Sequence, residues 1–121
     1  MKWPLQAVVG VRTYHGLNDR GHWRVHHERA QHIKTQTFWA LRAVRPPAKY
    51  EGETLIVTLT RVGPTRGLDK DNLQGSLKYL RDSIAEFIGV DDGSDAVTWR
   101  YEQRRGAVWR VEIYIAIAPG T

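Results

Sequence analysis

Residues 54–88 read TLIVTLTRVGPTRGLDKDNLQGSLKYLRDSIAEFI, and this stretch holds both periodicities that decide the fold. Thr54 to Arg61 alternates, with Leu55, Val57 and Leu59 on one face and Thr58 and Thr60 on the other. Period two predicts a half-buried strand. Gly63-Pro64 and Arg66-Gly67 then predict a loop. From Asn72 to Ile88 the period becomes helical. At about 100° per residue, Leu73, Leu77, Leu80, Ile84 and Ile88 fall within roughly 80° of one another. A strand followed by a one-sided helix, each with an apolar face to bury, requires a sheet with helices packed on it.

Working outward, Val97 to Arg104 and Val108 to Ile117 alternate again and are separated by Arg105-Gly106, which predicts a β-hairpin. Upstream, Gln6 to Val11 reads as a short strand. Arg12 to Arg29 is polar and broken by Gly16, Asn18-Asp19 and Gly21, so residues 12–29 are expected to form a long loop. A helix is expected from Glu28 to Ala43, with Ile33, Phe38, Leu41 and Val44 as its apolar positions, until Pro46-Pro47 stops it. The expectation is one α+β domain over residues 1–121, a mixed sheet carrying two helices in the order β-α-β-α-β-β. A chain of 121 residues buries its surface inefficiently, which favours dimerisation.

The formal net charge is +5 and the sequence pI about 9.8. That balance suits a polyanionic partner and equally suits a solvated basic surface. There is no Cys, so disulfides and thiolate metal sites are excluded. The apolar run Ala7 to Val11 is too short for a membrane span, and a cytoplasmic protein with no membrane partner is expected. Charge is unevenly spread. Between Arg66 and Asp95 stand seven acids (Asp69, Asp71, Asp82, Glu86, Asp91, Asp92 and Asp95) against four basic residues, Arg66, Lys70, Lys78 and Arg81. An acidic segment in a basic chain fits metal-assisted chemistry on phosphates, the carboxylates holding the cation and the arginines and lysines the substrate.

Asp69 and Asp71 stand just before the helix, and in an extended entry segment they would point the same way. Asp71, Lys78 and Asp82 fall within about 40° of one another, opposite the apolar stripe. Magnesium takes one or two carboxylates directly and keeps several waters, and Lys78 would offset developing charge on a phosphate. The bland alternative makes Asp71 an N-cap and Lys78/Asp82 a surface pair at i,i+4. Asp91-Asp92-Gly93-Ser94-Asp95 follows the helix and suits a turn. It is no EF-hand, because Ala96 stands where the loop needs glycine. The turn lies some 25 Å from Asp71 along the helix axis.

Asp69-Lys70-Asp71-Asn72-Leu73 resembles the Asp-x-Asp-Asn-Leu motif of the RusA family of Holliday junction resolvases. A helix and then an Asp-Asp pair follow that motif in the family, as Asp91-Asp92 do here, and the likeness runs from about Leu55 to Ile117. The resemblance implies a homodimer that resolves four-way DNA junctions by paired nicks, using magnesium or manganese. It implies metal ligation by Asp69, Asp71 and Asp92, with Asp91 as the alternative to Asp92. One departure stands out. The family's lysine, four residues after the second motif aspartate, is here Gly75, and Lys78 on the Asp71 face is the expected substitute. A relative that binds DNA without cutting it is the competing expectation, and a metal-dependent phosphodiesterase acting on RNA or another substrate a third.

Asn18 to His32 is basic and aromatic, holding Arg20, His22, Trp23, Arg24, His26, His27 and Arg29. Arginine binds phosphate oxygens and an exposed Trp stacks on unpaired bases, so Arg20, Trp23 and Arg24 are the expected DNA contacts. The alternative places Trp23 in the core. His22/His26 at i,i+4 lacks a third ligand nearby and does not argue for zinc. Trp99 and Tyr101 alternate inward with Val97 and are expected in the core or a dimer interface.

Overall fold

The computed structural model describes residues 3–13, 23–46, 51–91 and 93–119. The chain runs β1 (Leu5–Val9), α1 (Trp23–Val44), β2 (Leu55–Gly63), α2 (Lys70–Ser76), α3 (Lys78–Ile88), β3 (Val97–Arg105) and β4 (Arg110–Ile117). It is the expected small α+β domain. The mixed sheet has the order β1-β4-β2-β3, with β2 parallel to β3 and antiparallel to β4. Leu55, Val57 and Leu59 are fully buried in one core with Leu77, Leu80 and Ile84, so the two apolar faces cover each other. Each such side chain contributes about 1.5–3 kcal/mol by leaving water.

The expected hairpin does not form. β2 lies between β3 and β4, and residues 106–109 carry the chain over its end. Stepping over one strand needs about 10 Å, and the five Cα steps from Arg105 to Arg110 reach roughly 16 Å. Two glycines make the crossing possible. Gly106 N donates to Gly63 O at 3.0 Å, and a Cβ on Gly106 would stand 2.6 Å from Val62 Cγ1. The Trp109 ring fills the space where a Gly63 side chain would be. The apolar nine-residue β2 is thereby paired on both sides, while β3, mostly exposed and rich in charge, forms an edge.

The long helix predicted over 72–88 is two helices. Gly75 and Ser76 interrupt it: Ser76 Oγ donates back to Leu73 O at 2.8 Å, and Leu77 N bonds Gln74 O at 3.2 Å. Gly/Ser pairs are a common origin of such bends. Gly89, at φ 89°, ends α3 in the left-handed conformation.

The polar loop expected through Arg29 ends sooner, because α1 begins at Trp23. Its buried face is Ala30, Ile33, Thr37 and Leu41, whereas Phe38 and Val44 are exposed. Thr37 is tolerated inside because its hydroxyl donates to Ile33 O at 2.7 Å. Ser83 Oγ donates to Lys34 O at 3.2 Å and ties α3 to α1. Among the described residues, no helix is long and apolar enough to cross a membrane.

Candidate functional site

The β2–α2 loop brings the motif aspartates to the carboxyl end of β2, beside the carboxyl end of parallel β3. Ligands of open α/β sheets bind at such ends. The loop is fastened by one side chain. Gln103 of β3 accepts from Leu68 N at 2.8 Å through Oε1 and donates to Leu68 O at 2.6 Å through Nε2. Gly67 lets it approach, since a Cβ there would stand 2.9 Å from Gln103 Oε1. The residue fixed in this way immediately precedes Asp69.

Asp69 is extended, at φ −67° and ψ 170°, and caps α2. Its Oδ1 accepts from Asn72 N at 2.9 Å and its Oδ2 from Asn72 Nδ2 at 3.2 Å. The cap is therefore Asp69, where the bland alternative places Asp71. Asp71 lies in the first turn of α2 and is exposed, so the expected extended Asp-x-Asp entry segment is corrected: the helix starts at Lys70. Two residues along a helix differ by about 200° in direction, which removes the shared orientation that an extended chain would give.

Lys78 opens α3 and its Nζ lies 3.5 Å from Asp82 Oδ2, their side chains 50% and 25% exposed. The i,i+4 pair is thus formed. The cation that the kinked helix directs against the sheet is Arg81. Its Nη1 donates to Tyr101 Oη at 2.9 Å and its guanidinium stacks on Trp99 at 4.9 Å. Arg81 shares a groove of about 580 Å³ with Lys70, Gln74 and Arg100. Trp99 and Tyr101 pack partly buried against the core, as expected from their alternation.

Asp91 stands at the far end of α3, where its Oδ1 accepts from Gly93 N at 2.9 Å. The turn reading holds for Asp91. The sheet register agrees: Val97, soon after that turn, pairs with Leu55, while Gly63, before the aspartate motif, pairs with Arg105. Asp92 and Arg20 lie outside the described residues, as does the side chain of Trp23. Arg24 is exposed in the first turn of α1. Among the described residues, no three acids or histidines are grouped as metal ligands. Of the acids expected at the metal, the described residues place Asp69 and Asp71 together, at one helix terminus.

A second basic feature was missed in the sequence. Arg61, Arg66, Arg104 and Arg105 line a groove of about 310 Å³ beside the β2–α2 loop, with Thr65 and Gln103. Arg104 is taken up by Glu112, its Nη1 and Nη2 donating to Oε1 and Oε2 at 2.9 and 2.7 Å. These bonds hold the Glu112 carboxyl below its ordinary pKa. The signal for Arg61 was present: it follows Leu55, Val57 and Leu59 at period two, which places an arginine on the buried face.

No family model matches this chain, and no curated protein or solved structure does so either.

Proposed function

We propose that the chain is a magnesium-dependent endonuclease for branched DNA, resembling the RusA resolvases and acting as a homodimer on four-way junctions. The observation that carries this reading is that Asp69 and Asp71 share the carboxyl end of β2 with an arginine-lined groove. Exposed Asp71 and the cap Asp69 offer carboxylates at one helix terminus, and magnesium, which takes one or two carboxylates and otherwise water, needs only one of them directly. Manganese would serve in its place. Bound there, the ion would supply Lewis-acid neutralisation of phosphate charge.

The chain's own residues have distinct tasks. Asp69 holds the start of α2 through Asn72, so it orients Asp71 as well as offering charge. Gln103 sets the position of both through Leu68. Arg66 and Arg105 attract the DNA backbone electrostatically. Lys78 would offset charge on the phosphate once released from Asp82. Asp92, next in sequence to Asp91 at the far end of α3, would complete the ligands only from the other protomer of the homodimer.

A non-catalytic DNA-binding relative is the second reading, supported by two observations. Both oxygens of Asp69 already serve the cap, and Lys78 is paired with Asp82. The test is an end-labelled synthetic four-way junction with wild type and Asp71→Asn, in magnesium, manganese or EDTA. Paired nicks from wild type alone, absent in EDTA, support the nuclease. Junction binding without nicks in either metal supports the binding module.

A further inference from the structure

We propose that Arg61 forms the floor of an oxyanion site that takes a phosphate group of the nucleic-acid backbone. The site lies in the groove between the β2–α2 loop and the end of β3. The inference rests on the nucleic-acid reading for the identity of the polymer, while the oxyanion is argued from Arg61 itself.

Arg61 is 7% exposed, yet among the described residues no carboxylate pairs with it. Its Nε donates to Thr13 Oγ1 at 2.9 Å and its Nη2 to Thr13 O at 3.3 Å, both neutral acceptors. Its guanidinium stacks on Trp109 at 4.7 Å, and Arg12 stacks on the same ring at 4.9 Å. The Arg61 charge therefore shares one aromatic ring with a second arginine. Burial, and then Arg12, lower the Arg61 pKa from its ordinary value. Arginine does not relieve such a cost by deprotonating. Leaving a buried charge uncompensated is strongly destabilising in general.

Among the described residues Arg61 has no anionic partner, and the groove has room for one. Nη1 makes no hydrogen bond with the described residues, and Arg61 lines the groove of about 310 Å³. One liquid water occupies about 30 Å³, so a phosphate group and its waters fit. The groove's lining contains no acid. Arg66 and Arg105 stand exposed at its mouth, and Thr65 adds a hydroxyl. Arg104 is held bidentately by Glu112, which also accepts from Arg110 Nε at 3.2 Å, so the cluster of two arginines and one carboxylate stays positive. A purely structural role, bridging Thr13 to β2, needs hydrogen-bond donors but no positive charge. The guanidinium fork matches phosphate oxygens.

The experiment uses the 121-residue chain labelled with 15N, following the arginine Nε–Hε and tryptophan indole resonances. Inorganic phosphate is titrated first, then a short single-stranded oligonucleotide, then a four-way junction. Saturable shifts of Arg61 and Trp109 in the phosphate arm, and again with the oligonucleotide, are expected. Arg66→Gln/Arg105→Gln, at exposed positions, should flatten the log–log salt dependence of duplex binding by about 0.9 for each phosphate no longer neutralised. Junction binding that saturates while Arg61 and Trp109 stay unmoved in every arm overturns the site and leaves the nuclease reading intact. Arg61 shifts with phosphate and oligonucleotide, without junction cleavage in magnesium, support the site and remove the nuclease.

Discussion

The side-chain amide of Gln103 bonds both backbone groups of Leu68, at 2.8 Å to its N–H and 2.6 Å to its carbonyl. It does for the β2–α2 loop what another strand would do, at the point where the chain turns into the aspartate motif. Gln103→Ala should cost about 1 kcal/mol in urea unfolding, since both bonds are exposed. If the proposed nuclease site is right, turnover on the junction should fall by about tenfold or more, because misplacing a catalytic group is costlier than losing its support. Unchanged turnover at matched folded fraction would reduce Gln103 to a structural strap.

Asp69 combines a cap with a charge, and two substitutions separate them. Asp69→Asn retains an N-cap acceptor and should leave thermal stability within a few tenths of a kcal/mol, whereas Asp69→Ala should lose about 1 kcal/mol. Both should abolish magnesium-dependent cleavage. Cleavage that survives in Asp69→Asn would remove Asp69 from the metal site.

Lys78 and Asp82 form a half-exposed pair on the surface of α3 that contributes about 0.5 kcal/mol. Lys78→Ala should therefore unfold at nearly the wild-type urea concentration, bind the junction as well, and cut it much more slowly. Wild-type cutting by this variant would leave the lysine missing at Gly75 without a replacement.

Gly63 is packed beneath the ring of Trp109, which lies beside Arg12 and Arg61. Gly63→Ala has no space for its methyl group unless the ring moves. A loss of about 1–3 kcal/mol is expected from such overpacking, together with a changed Trp109 environment by NMR. Wild-type stability would show that the crossing loop yields easily.

The hydrogen bond from Arg104, foremost, holds the Glu112 carboxyl below its ordinary pKa. The pair's contribution to stability is then fully present above the unfolded carboxyl value, about 4.3. It is lost as pH falls through the lower folded value. Glu112→Gln should be less stable than wild type at neutral pH, and the gap should close in acid. Melting temperatures measured from neutral pH down into strong acid would check this, and a gap independent of pH would refute it.

The sequence by itself determined which face of β2 and of the 72–88 helical stretch is buried, though not that of α1, where Phe38 and Val44 are exposed. The stripe from Leu73 to Ile88 and the alternation in β2 both pack inward, because a side chain's direction follows from local backbone period. It also placed the helix terminus at the Asp-Lys-Asp motif to within two residues. Period says nothing about which strand lies beside which, so the hairpin expected of β3 and β4 gave way to a crossing over Gly63 that buries β2. Nor does it show a polar group that is satisfied locally, as Thr37 is by Ile33 O. The separation of Asp91 from Asp71 was legible as well, because a helix between them sets the turn about 25 Å away along its axis. Only the tertiary structure brought Gln103 to Leu68, 35 positions apart, and Arg61 to Thr13, 48 apart. Contacts of that range depend on how the sheet closes, and no local pattern in the chain encodes it.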